Sequence, residues 1–229
     1  RNVYHGFDFA NEDNKQYLKP VAEGSVGVGN NVSMSLENVS GHADASVFGT
    51  TFSDASEKIT LALSAFQQRI VDHLNTKSEI HYLGPNCDIK FSVKDRIWQN
   101  SDGKNNMPSG EVFTSPVEDA VNGWIKFSLP GFYMNTEVEG VELQVKDGYV
   151  ADWKATKGKA FLDEIFAMEG ARYFGEVAIG TNKNIQQITK NILFDEKIGG
   201  TVHMAIGQSY INCGGKNKSS VHWDMITDM

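Results

Sequence analysis

The sequence predicts a mixed α+β domain, β-rich, with helices packed on the sheets. Two observations predict it. One long stretch, SDASEKITLALSAFQQRIVDHLN, repeats its apolar residues at helical spacing, and most of the middle and end of the chain breaks into short β-type runs separated by turn residues. Helices fall between those runs, and neither an internal repeat nor a long linker divides the 229 residues. That length supports a sizeable core.

The elements follow in order. Residues 1–52 are hard to place; Gly24 to Ser53 is rich in Gly, Ser, Asn and Val and reads as short strands and loops. In the long helix, Asp54 and Glu57 resemble a capping box, and Ile59, Leu63, Phe66, Ile70 and Leu74 form its stripe. IHYLG, CDIKFSV and RIWQN read as strands, with Lys94-Asp95 as a hairpin turn between the last two. SDGKNNMPSGE is turn-forming and places Glu111 in a loop. VEGVELQVKDGYVADWKA alternates on both sides of Asp147-Gly148, a pair suited to a tight hairpin. KAFLDEIFAMEGARYFGE reads as helical, interrupted at Gly170 and Gly175, with Glu176 at or past its end. Ile185 to Asn191 reads as a short helix, GTVHMAIG as a buried strand and VHWDMI as the last strand.

Composition narrows the function. The hydrophobic share of 40% and charged share of 22% are those of a soluble globular protein. A net charge of −8 and a pI near 5.2 argue against nucleic acid or an anionic membrane surface as partner. No apolar run approaches the roughly 20 residues that span a bilayer. Cys87 and Cys213 make neither a disulfide framework nor a CxxC pattern, so a reducing cytoplasm is the default. The chain opens on Arg1, as a piece of a longer polypeptide would.

Several motifs are excluded. GSVGVGNN orders its glycines wrongly for a dinucleotide fingerprint, and GGKNKSS puts Asn217 where a phosphate loop needs Ser or Thr. HExxH and GxSxG are both missing. Cys213 in NCGG is a nucleophile candidate, though an unpaired cysteine is more often a core residue. Trp98, Trp124 and Trp153 suit either a substrate cleft or the core.

The remaining signal is a set of oddly placed acids and histidines. Glu111 precedes an apolar-aromatic pair, Glu176 is flanked by apolar residues, and Glu196 stands just before the His203 strand. A buried carboxylate needs compensation by protonation, an ion pair or a metal. In HWD, His222 and Asp224 project from one face if the stretch is a strand, either as a hydrogen-bonded pair or as two metal ligands. Carboxylate with imidazole and no thiolate suits a catalytic Zn²⁺, Co²⁺ or Mn²⁺ site. Shared carboxylates would also hold two ions about 3.5–4 Å apart.

NSDGKNNMPSGEVFTSPVEDAVNG, EGARYFGEVAIGTN, NILFDEKIGGTVHMAIGQSY and SSVHWDMI resemble, in this order, the signature segments of the aminopeptidase T / aminopeptidase S metallo-aminopeptidases (peptidase family M29). The likeness runs from about Leu83 to Met229. It implies a catalytic domain over residues 53–229, truncated at both ends relative to the family, with residues 1–52 poorly matched. It further implies a cytoplasmic hydrolase, dimeric in its full-length form, that uses two divalent ions (Zn, Co, Mn or Mg) to release N-terminal residues from peptides with a free N-terminus. Carried over residue by residue, Glu111, Glu176, His203, His222 and Asp224 are metal ligands, with Glu176 bridging. Glu196 is the general base, or on a second reading a ligand, and Tyr210 holds the oxyanion. Two alternatives stay open: a catalytically silent metal-binding or scaffold relative, and an amidohydrolase acting on non-peptide substrates.

Overall fold

A computed structural model describes the backbone of residues 46–47, 50–105 and 109–229, with side chains from residue 63 onward in those ranges. The expected loops and strands before residue 46 lie outside what is described, as do the side chains of Asp54, Glu57 and Ile59; the helix backbone already begins at Phe52, so Asp54 stands inside the first turn and not at the cap. A two-residue ladder of β1 (Ser46–Val47) and β2 (Thr50–Thr51) leads into helix α1 (Phe52–Leu74). The buried face of α1 is Gln67, Val71 and Leu74, whereas Phe66 is 42% exposed. A polar residue holds that face because the Gln67 amide donates to the carbonyl of Ser101 at 2.9 Å and to that of Glu111. The helix is thereby tied to the strand that carries a candidate ligand.

The first five-stranded antiparallel sheet contains β3 (Glu79–Gly84), β4 (Cys87–Ser92), β7 (Val121–Lys126), β10 (Glu142–Lys146) and β11 (Tyr149–Lys154), in the order β11-β10-β7-β4-β3. Period-2 alternation builds it: Cys87, Ile89 and Phe91 point inward while Asp88 and Lys90 face out. Asp147-Gly148 turns the β10–β11 hairpin with both residues at positive φ. Gly123 at the centre has φ +127°, and a Cβ there would stand 2.0 Å from the Asp88 carbonyl oxygen. Gly123→Ala is therefore expected to cost about 3 kcal/mol or more, read as a lower urea midpoint; an unchanged midpoint would mean that β4 and β7 do not approach this closely.

The second sheet contains β5 (Gln99–Ser101), β6 (Glu111–Thr114), β12 (Phe174–Gly180), β13 (Thr201–Gly207) and β14 (His222–Asp228), in the order β14-β13-β12-β6-β5, again antiparallel. A hairpin of β8 (Gly131–Tyr133) and β9 (Thr136–Val138) stands beside it, with Tyr133 stacked on Trp223. Helices α2 (Lys159–Phe166) and α3 (Ile192–Asp195) and a short helical turn (Ile211–Cys213) complete the described set. One continuous core joins both sheets, among its members Ile89, Phe91, Ile125 and Leu143 from the first and Val112, Val177, Met204 and Trp223 from the second. Every residue of β13 is buried. Among the described residues no helix is long and apolar enough to cross a membrane.

Four local expectations change. Glu111 is not in a loop: it opens β6, paired between Gly180 and Ser101. The Lys94-Asp95 turn forms, with Asp95 at φ +60°, but it passes the chain between sheets instead of closing a hairpin. The Arg96 guanidinium occupies that crossing, bonded to Glu118 at 2.7 Å and to the carbonyl of Gly214. The helix expected through residue 176 stops at Phe166, because FGEVAIG is an apolar run that gains strand partners on both sides. Ile185–Asn191 is not helical. The Asp195 carboxylate accepts from the Thr189 and Lys190 amides at 2.7 and 2.9 Å, so the helix begins only after Asn191.

Candidate metal centre

Strand parity places the candidate residues on one face of the second sheet. On β13, Val202, Met204 and Ile206 enter the core, so His203 points to the other side. By the same alternation Val112, Val177, Trp223 and Met225 face the core, and Glu111, Glu176, His222 and Asp224 face the site. Register then clusters them. Ala205 is paired with Glu176 on one side and Asp224 on the other, and Ala178 is paired with His203. With only methyl groups at these positions, the longer side chains converge above the strands.

The donors form two groups whose potential ligand atoms lie within 4.8 Å of one another: Glu111, Glu196 and His203 in one, Glu176, His222 and Asp224 in the other. Glu176 faces both histidines, with Oε1 3.7 Å from His203 Nε2 and Oε2 3.2 Å from His222 Nε2. His203 Nε2 is also 3.1 Å from Glu111 Oε2, and His222 Nε2 is 3.6 Å from Asp224 Oδ2. The Nδ1–H of His222 donates to the Gln208 carbonyl at 2.8 Å, the arrangement that leaves Nε2 free to bind a metal.

These residues fit divalent cations. Glu111 Oε2, Asp224 Oδ1 and both ring nitrogens of His203 are buried without an aligned hydrogen-bond partner. Such unpartnered buried polar atoms are costly unless something else satisfies them. A carboxylate–imidazole set with no thiolate has the ligand chemistry of a catalytic rather than a structural site.

Glu196 and Lys197 reach the site from the segment that follows α3. Asn182, just past the end of β12, bridges to Ile198, and its amide donates to the Lys197 carbonyl at 3.0 Å, which clips this segment beside the end of β12. The Lys197 ammonium, on a side chain only 1% exposed, donates to Glu111 Oε1 at 2.6 Å and to Glu196 Oε1. Sequence reasoning missed it; its only signal was a charge next to Glu196 in an otherwise buried stretch. Tyr210 is held differently. Its amide donates to Ser115 Oγ at 3.0 Å, and that hydroxyl donates to the Gly175 carbonyl at 2.6 Å. Its ring leans on Phe113 and His222, and its hydroxyl lies 3.4 Å from His222 Nε2.

Crowded charge displaces the ionisations. Burial, then Glu111, pushes the Glu196 carboxyl up to about 8, and burial, then Glu176, lifts Asp224 to about 6. Burial also disfavours the ionised Glu176, but the His203 and His222 imidazoles that face its two oxygens outweigh it and hold that group at about 2. Burial lowers His222, yet Glu176 and Asp224 bring it up to about 10. In metal-free protein, Glu196, Asp224 and His222 all have folded-state values above their unfolded ones. Their stabilising contribution is full below the unfolded values and is lost as pH rises through about 6, 8 and 10. The urea midpoint measured in chelator should therefore fall between about pH 5 and pH 8.5, and saturating metal should flatten the slope. A midpoint that rises over that window would contradict these environments.

Two rival roles recede. Cys213 is fully buried and burial pushes its thiol up to about 11, which leaves almost no thiolate near neutral pH. Trp98 belongs to the core, and Trp153 packs against it while donating to Asp163 at 2.6 Å.

Comparison with known proteins agrees with this chemistry. A family model described as thermophilic metalloprotease (M29) matches residues 57–229. Aminopeptidase AmpS of Bacillus subtilis is 34% identical over 167 residues, which cover 65% of this chain and 40% of the relative. Aminopeptidase 2 of Geobacillus stearothermophilus is 32% identical over 188 residues, covering 69% of this chain and 45% of the relative. The chain thus spans less than half the length of the curated relatives it matches. The solved structure of wild-type AmpT from Thermus thermophilus superposes with a TM-score of 0.65 at 27% identity, over 76% of this chain and 51% of that one. A dioxygenase from Pseudomonas putida KT2440, solved as 2,5-dihydroxypyridine dioxygenase, shares the fold at a TM-score of 0.58 and 16% identity, over 74% of this chain and 57% of that one. Since the span matched by the family model takes in both five-stranded sheets and every candidate ligand, the chain belongs to the thermophilic metalloprotease (M29) family.

Proposed function

We propose that residues 53–229 are the catalytic portion of a metallo-aminopeptidase that binds two divalent ions and releases N-terminal residues from peptides. The observation that carries this reading is Glu176, whose two carboxylate oxygens face one histidine from each ligand group. Two adjacent three-donor clusters joined by a carboxylate are what a pair of ions requires. Such ions, when bound, acidify a water and polarise the scissile carbonyl. Glu111 and His203 would hold one, His222 and Asp224 the other, with Glu176 shared.

The remaining steps fall to side chains. Glu196, placed beside the Glu111–His203 donors, accepts the proton of the attacking water and returns it to the leaving amine. A second role, direct ligation, is favoured by its place in the Glu111–His203 group. The Tyr210 hydroxyl, on the open side of His222, donates to the developing oxyanion. A free substrate α-amine would donate to a nearby site carboxylate, which favours exopeptidase action. From the family resemblance we also place the full-length protein in the cytoplasm as a homodimer.

The test is a pair of peptides differing only in N-terminal acetylation, incubated with the metal-loaded protein. Release of the first residue from the free peptide alone supports the proposal. Cleavage of both would favour an amidohydrolase, and cleavage of neither, with ions bound, a silent relative.

A further inference from the structure

The two ligand groups look alike in composition but differ in one buried charge. In the Glu111–Glu196–His203 group, both carboxylates already give an oxygen to the Lys197 ammonium. That side chain is 1% exposed, so water cannot screen it and no open surface offers it another position. No Lys or Arg is bonded to Glu176, His222 or Asp224 among the described residues. Their only near cationic neighbours are the histidines themselves, which lose a proton to coordinate.

We infer that Lys197 acts as a resident cation that makes the two metal sites unequal. The Glu176–His222–Asp224 group fills first and tightly; the Glu111–Glu196–His203 group fills second and weakly. An ion entering the second group must share both carboxylates with a fixed positive charge, while one entering the first meets uncompensated donors. A unit charge a few ångströms from an ionic site changes its equilibrium by about 10- to 1000-fold, so the two affinities differ by roughly a hundredfold. The lysine also explains how Glu111 and Glu196 are tolerated side by side in the metal-free protein, where two buried carboxylates would otherwise repel. It is a positioning residue: it sets how often the second ion is present.

This inference rests on the metal-binding reading above, and the test separates the two. Metal-free full chain is titrated with Zn²⁺ against a competing chromophoric chelator, and bound ions are counted after equilibrium dialysis. Wild type should bind one ion about a hundredfold more tightly than the next. Asp224→Asn should abolish the tight event, Glu111→Gln the weak one, and Lys197→Met should strengthen the second ion. Two ions of equal affinity in wild type would overturn the inference, as would loss of the tight event in Glu111→Gln instead of Asp224→Asn. Loss of the second ion in Lys197→Met would make the lysine a support for that site, not a competitor. If Lys197→Met does not fold, the wild-type titration and the other two variants decide. Failure of every protein to bind any ion would overturn the metal reading itself.

Discussion

Glu176→Gln is expected to lower both ion occupancies and to reduce peptide hydrolysis by about 10³-fold or more. The side chain keeps its shape, and β12 stays paired on both edges, so the fold should survive. What changes is chemistry at two atoms. One carboxylate oxygen becomes an NH2 group directed at an imidazole nitrogen, and the negative charge that faces both His203 and His222 disappears. Elemental analysis after dialysis reads the result. Retention of one ion at wild-type affinity would show that Glu176 serves a single site, and retention of two would remove it from the centre.

The second large effect is on stability. Lys197→Met, measured in chelator, should destabilise the chain by about 3–5 kcal/mol, the usual cost of removing one partner from a buried ion pair. Methionine fills much of the lysine's volume, so little of the loss comes from a cavity. It comes from Glu111 and Glu196, both nearly inaccessible, which are left without their shared cation. Protonation of Glu196 relieves part of the strain at low pH, so the deficit should widen as pH rises. Saturating Zn²⁺ should close most of the gap, since ions supply the missing positive charge. A deficit that metal does not reduce would mean that the lysine holds the backbone after α3 rather than the carboxylates.

The fold class was legible in the sequence because turn residues and two-residue alternation mark strands locally. The β10–β11 hairpin at Asp147-Gly148 and the buried β13 and β14 are where the pattern puts them. Strand partners were not legible. Lys94-Asp95 has the composition of a hairpin turn and serves as a crossing between sheets, and only long-range pairing decides which. FGEVAIG after a helix reads as its continuation until partners exist on both sides. Of the site, the carboxylates and histidines stood out because they interrupt apolar runs. Lys197 did not, since a lysine beside a glutamate looks like any solvated pair, and its burial depends on a strand 86 residues away. Gln67 is the same case: an amide in a helical stripe looks exposed until its carbonyl partners arrive from β5 and β6.

The floor of the metal centre is made of main chain capped by methyl groups, since Ala178 and Ala205 are the residues set directly against His203, Glu176 and Asp224. A surface of that kind has no rotamers to adjust. Its depth is fixed by the spacing of hydrogen-bonded strands, so the ions and the reacting bond would sit at one constant height. If residues 53–229 act as proposed, adaptation to different substrates is confined to the rim outside the catalytic groups, where Ile211 stands exposed at the start of a short helical turn. In this design reactivity belongs to a rigid plane and selectivity to its border, and the border can vary without disturbing the chemistry.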